Sequence, residues 1–209
     1  MSRLTGVKAD EKYSHKKLES IAANVREVLG FGSGSAIDPL CLFEDLYEIS
    51  ILDAAGRSIP LRSGVIALED SEGYARYDAR KGCIEVLASV NTYRWLEDRH
   101  PRAAFFVAHE LGHCLLHTKQ LIRLAKMPTN LQAAFHRGLA DHRPYEDTEW
   151  QANAFASSLL MPARGLAALE EQHGHLSTRM IVNTFEVSNE AASIRLATYS
   201  QRKGELLQI

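Results

Sequence analysis

Residues 101–117 read PRAAFFVAHELGHCLLH, and they set His109, Glu110 and His113 into a run of alanine, phenylalanine, valine and leucine. Ala104, Phe105, Ala108, Leu111, Gly112 and Leu115 recur at helical spacing, so the stretch is predicted to be an almost wholly apolar helix. Two histidines and a glutamate are the residue types least expected inside one. Without ligands they would leave buried polar atoms unpaired, at about 1–3 kcal/mol each. The HExxH spacing removes the conflict. Imidazoles four residues apart lie one turn above the other and can both reach a single Zn²⁺ at about 2.0–2.1 Å, while the intervening glutamate faces a water on the same ion. That chemistry is hydrolytic: the metal polarises a scissile carbonyl, and Glu110 moves a proton from the attacking water to the leaving amine. With 9 histidines in 209 residues, accidental matches to the pattern number roughly 0.03.

A catalytic zinc commonly takes three protein ligands and keeps one open position. The extended pattern with a third histidine six positions after His113 is excluded, because position 119 is lysine. His117 lies eight positions from His109, which turns it about 80° around the helix and away from the same ion. It is expected to be a partly buried histidine beside the site, with supporting a ligand or polarising the substrate as the alternative. The third ligand is therefore sought on another helix, and residues 145–153, YEDTEWQAN, offer three carboxylates. Glu149 shares a stripe with Ala152, Asn153 and Ala156, small residues that let two helices approach closely, and Asn153 can hydrogen-bond a neighbouring ligand. Glu146 lies on nearly the same face and is the alternative, whereas Asp147 points elsewhere.

Outward from these two helices the chain reads as α+β. Residues 16–30 carry a helical apolar stripe ended by glycines, and Asp38-Pro39 opens a short helix that leads to a strand at Ile49 to Leu52. Val65 to Leu68, Tyr74 to Tyr77 and Cys83 to Leu87, separated by Glu72-Gly73 and Lys81-Gly82, are predicted to form a small antiparallel sheet packed on the HExxH helix. One of the first and last of these strands is expected to be the edge beside the metal, where a peptide could pair. Residues 118–145 form a long connection with a short helix suggested around Leu131 to Leu139. The C-terminal half is mostly helical, at about 163–173, 177–186 and 188–203. The expected organisation is an N-terminal helical segment over 1–45, a zincin-like core over 46–162 and a helix-turn-helix-like segment over 163–209.

The bulk properties constrain function class. A formal charge of -2 lacks the basic excess of non-specific nucleic-acid binders. The longest apolar run, Ala103 to Ala108, has six residues against roughly 20 needed to cross a bilayer, and no apolar signal core opens the chain. Three scattered cysteines suit a reducing cytoplasm.

The two motif blocks, His109-Glu110-Leu111-Gly112-His113 through His117 and Glu149-Trp150-Gln151-Ala152-Asn153-Ala154-Phe155-Ala156 through Leu160-Met161-Pro162, resemble those of the ImmA/IrrE metallopeptidases. The resemblance covers about residues 80–200, including Phe185-Glu186-Val187-Ser188. It implies a cytoplasmic zinc endopeptidase whose protein substrate is a helix-turn-helix repressor encoded nearby, cleaved to relieve repression in a stress response or in mobile-element regulation. It also implies His109, His113 and Glu149 as metal ligands and Glu110 as catalytic acid and base. Gln151 stands where the family often has glutamate, and thirty-five residues separate His113 from Glu149, with a basic and aromatic stretch around Leu131 to His142 that could cover the cleft or recognise a partner. Peptide deformylases share HExxH, and Cys83 faintly echoes their cysteine, but that reading leaves Glu149 without a role. A DNA-binding reading of residues 176–196 places Ser188-Asn189-Glu190 at the head of the reading helix, a poor face for base contacts.

Overall fold

The computed structural model describes residues 7–53, 55–128 and 143–208. Helix α1 (His15–Val28) is capped by Ser14, and α2 (Pro39–Glu44) by Asp38, whose carboxylate accepts from the amides of Leu40 and Cys41. The four strands β1 (Ser50–Leu52), β2 (Ser58–Ile66), β3 (Gly73–Asp78) and β4 (Cys83–Ser89) form one sheet in the order β1-β2-β4-β3. Helices α3 (Val90–Glu97), α4 (Pro101–Leu116) and α5 (Thr118–Ala125) follow, then α6 (Thr148–Leu160), α7 (Ala163–His173), α8 (Thr178–Phe185) and α9 (Asn189–Leu206). The fold is α+β, as the sequence predicts.

The sheet is mixed where the sequence suggests an antiparallel one: β4 runs parallel to β2 and antiparallel to β3. Apolar content explains the order. All seven residues of β4 are buried, whereas β3, GYARYD, has none that is fully buried. A simple meander would put that polar strand in the middle. Placing β4 between β2 and β3 instead pairs the apolar strand along both edges and leaves the polar strand at the rim. The edge near the motif helix is therefore β3, not Gly64 to Leu68 or Cys83 to Leu87, which lie in or beside the central strands. Gly73, where β3 begins, has φ +145°, and a Cβ there would meet the Leu87 carbonyl at 2.0 Å.

Two short helices escape the sequence reading. In α3 the Ser89 hydroxyl accepts from Thr92 N–H and Leu96 is buried; α5 occupies the start of the segment expected to be a connection. The helix suggested around Leu131 to Leu139 lies outside the described residues. A single apolar core runs from Leu18 of α1 through Ile84, Val107, Leu111 and Phe155 to Leu206 of α9. Inside it, Arg195 of α9 pairs with Glu19 of α1 at 2.6 Å, both side chains 2% exposed. Glu19 also accepts from Ala163 N–H, and Arg195 donates to the Met161 carbonyl.

Candidate metal centre

Helix α4 starts at Pro101, a residue suited to the first turn, with His100 Nδ1 accepting from Arg102 N–H. Its apolar positions press into the core, which leaves His109, Glu110 and His113 half-buried, the two histidines toward α6 and Glu110 toward β3. Glycine makes that approach possible. A Cβ at Gly112 would lie 3.0 Å from Phe155 and 3.1 Å from the Ala152 Cα, so the Gly112 backbone and the small residues of α6 meet directly. Helix α6 is itself started by Asp147, whose carboxylate accepts from Trp150 N–H, and its first turn carries Glu149.

The structure brings His109, His113 and Glu149 together. His109 Nε2 and His113 Nε2 lie 3.0 Å apart, and each is 3.2 Å from a Glu149 oxygen. Ligand atoms around a tetrahedral zinc sit about 3.3 Å from one another, so the donor set and its spacing fit such an ion. His109 Nδ1 lies 3.0 Å from Asn153 Oδ1; with its Nδ1 proton donated there, the Nε2 lone pair is directed at the triangle. Burial opposes charge on Glu149 and His109. In Glu149 it is overcome by the imidazoles of His109 and His113 beside it, which hold the carboxyl well below its usual range. His109 is likewise desolvated, yet Glu149 and Glu110 raise its pKa.

Glu110 faces β3. One of its oxygens accepts from Ala75 N–H at 2.8 Å, and burial pushes its carboxyl pKa up. That bond also gives the direction of the edge: the amide of Ala75 points away from β4, and by strand alternation so does that of Tyr77. His117 sits off the triangle, buried, with Nε2 3.2 Å from the Thr148 carbonyl. A carbonyl only accepts, so this nitrogen carries a proton. Burial, with His113 alongside, lowers the His117 pKa to about 4, and the ring is neutral at physiological pH. Glu146 is turned elsewhere, paired with Lys12 at 2.6 Å and accepting from Arg143 N–H.

Three supports have no counterpart in the sequence reading. The Ala75 amide is one, since a backbone donor leaves no trace in residue type. The second is the N-terminal stretch from Val7 to Glu11, which is stitched to the head of α6: Thr148 N–H donates to the Val7 carbonyl and Ala9 N–H to that of Glu146. The third is Gln151, buried, whose amide nitrogen donates to the carbonyls of Glu11 and Tyr145. A carboxylate could make neither bond, and this accounts for glutamine there. Its position among family-like residues was the only signal available.

The centre lies on a cleft with two lobes, of about 940 and 900 Å³, and both are lined by His109 and Glu110. One lobe runs past Trp150 and the start of α9; the other runs along β3 past Tyr77 and Arg80. Compared with known proteins, residues 96–197 match the family model described as the IrrE N-terminal-like domain. No curated protein matches the chain. One similar solved structure, described as a Mycobacterium tuberculosis transcriptional regulator, has 21% identity and a TM-score of 0.48. The alignment covers 88% of this chain and 47% of that one, so the chain spans under half of that protein's length.

Proposed function

Residues 96–197 being an IrrE N-terminal-like domain of the ImmA/IrrE family, we propose that the chain is a zinc-dependent endopeptidase that hydrolyses a peptide bond in a helix-turn-helix repressor. The observation that carries the hydrolase reading is the triangle of His109, His113 and Glu149 with Glu110 beside it, at the waist of a cleft that continues on both sides. A cleft extending past the centre in two directions suits an internal segment of chain better than a terminus. The repressor as substrate, and a role in stress response or mobile-element regulation, rest on the family resemblance.

In this reading His109, His113 and Glu149 hold the zinc, which when bound supplies a Lewis acid and an acidified water. Asn153 fixes the His109 ring through Nδ1, and His117 steadies α6 through the Thr148 carbonyl, directly before Glu149. Glu110 takes the proton from the attacking water and passes it to the departing amine. The outward edge of β3 offers backbone groups for an extended substrate, as strand addition does elsewhere. Three free thiols, Cys41, Cys83 and Cys114, suit the cytoplasm, and among the described residues no helix is long and apolar enough to cross a membrane.

The test is to incubate the zinc-loaded protein with the regulator encoded beside it and follow the appearance of a shortened product. Glu110→Gln should keep one zinc per chain and lose roughly 10²- to 10⁴-fold in rate. Cleavage by this variant at the wild-type rate would remove Glu110 from the mechanism, and tight binding of the regulator without any cleavage by wild type would turn the reading from enzyme to sequestering protein.

A further inference from the structure

Helices α8 and α9 are joined through Glu186, in the left-handed region at φ 53°, and Ser188 caps α9. A short turn between two helices is also how a helix-turn-helix is joined. Here the first turns of α9 face the larger lobe of the cleft: Ser188, Glu190, Ala191 and Ile194 line the same space as His109 and Glu110. Ile194 is 61% exposed, although its neighbours Ala192 and Arg195 on the same helix are buried. The half-buried rings of Phe105 and Trp150 line this lobe as well.

The charges of the lobe are equally uneven. Its two arginines are committed, Arg102 to Glu72 and Arg195 to Glu19. Asp70 and Glu190 have no ion-pair partner among the described residues and leave the lobe acidic. The other lobe carries Arg80, also without one among the described residues. The cleft therefore has a polarity: apolar and acidic toward α9, basic and aromatic along β3.

We propose that α9 is a wall of the substrate-binding cleft and sets its specificity, with Ile194, Trp150 and Phe105 receiving an apolar side chain and Asp70 and Glu190 a lysine or arginine next to it. This rests on the peptidase reading for the identity of the occupant, an extended segment of protein chain. Apolar contact with the exposed isoleucine supplies affinity, and the two carboxylates reject an acidic neighbour through like-charge repulsion.

Binding is measured by fluorescence anisotropy on the zinc-loaded Glu110→Gln protein, which leaves the probes intact. The probes are short labelled peptides of glycine and serine with a central Leu-Lys, Leu-Glu or Ser-Ser pair. Leu-Lys should bind about tenfold more tightly than either of the others. Ile194→Asp should erase the advantage of leucine, and Glu190→Lys should shift preference from Leu-Lys toward Leu-Glu; both positions are exposed, and melting temperature verifies that both variants fold. Equal binding of the three peptides, no binding at all, or an unchanged profile in both variants overturns the proposal. Binding of a DNA duplex that either variant abolishes also overturns it and assigns the face to nucleic acid. Wild type is assayed in parallel for cleavage of the Leu-Lys peptide. Selective binding without cleavage counts against the peptidase reading and leaves the specificity surface standing, whereas unselective cleavage does the reverse.

Discussion

Three side chains in and beside the centre are each fixed by a partner outside the metal triangle. His109 is oriented by Asn153, His117 by the Thr148 carbonyl and Glu110 by the Ala75 amide. The metal triangle should respond to truncation accordingly. His109→Ala, His113→Ala and Glu149→Ala each remove a donor and should each strongly reduce bound zinc, while His117→Ala should leave the stoichiometry near one per chain. Elemental analysis of the purified variants checks this, and full zinc content in Glu149→Ala would rule out the third ligand. Gly112 gives a second expectation at this scale. An added methyl must press on Phe155 and the α6 backbone, so Gly112→Ala should lower stability by about 1–3 kcal/mol. Denaturant unfolding reads that cost, and zinc affinity should fall with it because α6 is displaced.

At the scale of elements, the head of α6 is the vulnerable joint, held by the N-terminal stretch, Gln151, His117 and Glu146. Glu146 provides a pH signature. The Lys12 ammonium and the Arg143 amide hold its carboxyl down, to about 2. A depressed carboxyl contributes stability that is complete above its unfolded pKa of about 4.5 and is lost as pH falls through the folded value. Wild type should thus lose melting temperature between about pH 4.5 and 2 more steeply than Glu146→Gln, which has no proton to take up. Parallel slopes for the two proteins would show that the Lys12 contact contributes nothing. The elements themselves were legible where residue type and period agree. Helix α4, the cap at Asp38 and the stripe of Glu149, Ala152 and Asn153 are all readable because side chains define them. The order of strands was not, since sequence neighbours usually pair and only the contrast between CIEVLAS and GYARYD favours another arrangement. Helix α5 was hidden by its length of eight residues, too short for TKQLIRLA to stand out as a period, and the stitching of Val7 and Ala9 by its being mostly a backbone interaction.

Across the whole molecule, one buried ion pair ties the two ends of the chain to the middle. Glu19 and Arg195 come from α1 and α9 and both bond the α6–α7 junction. Removing one partner leaves the other charged and enclosed, so Arg195→Met should cost about 3–5 kcal/mol. The double variant Glu19→Leu with Arg195→Met should recover most of the loss, since apolar replacement of a whole buried pair is often neutral. Chemical denaturation of the set measures both, and equal losses in single and double variants would show that the cost is one of packing and not of stranded charge.

The strand order also has a consequence for how the chain acquires its shape. β3 and β4 are joined by four residues and can pair as a hairpin unaided, whereas the parallel contact of β2 with β4 must wait until the intervening strand has been carried past. Local pairing is fast and loop closure between distant segments is slow. The rim that would grip a substrate therefore belongs to the early-forming piece, and its final position against α4 depends on the later docking step that aligns Ala75 with Glu110.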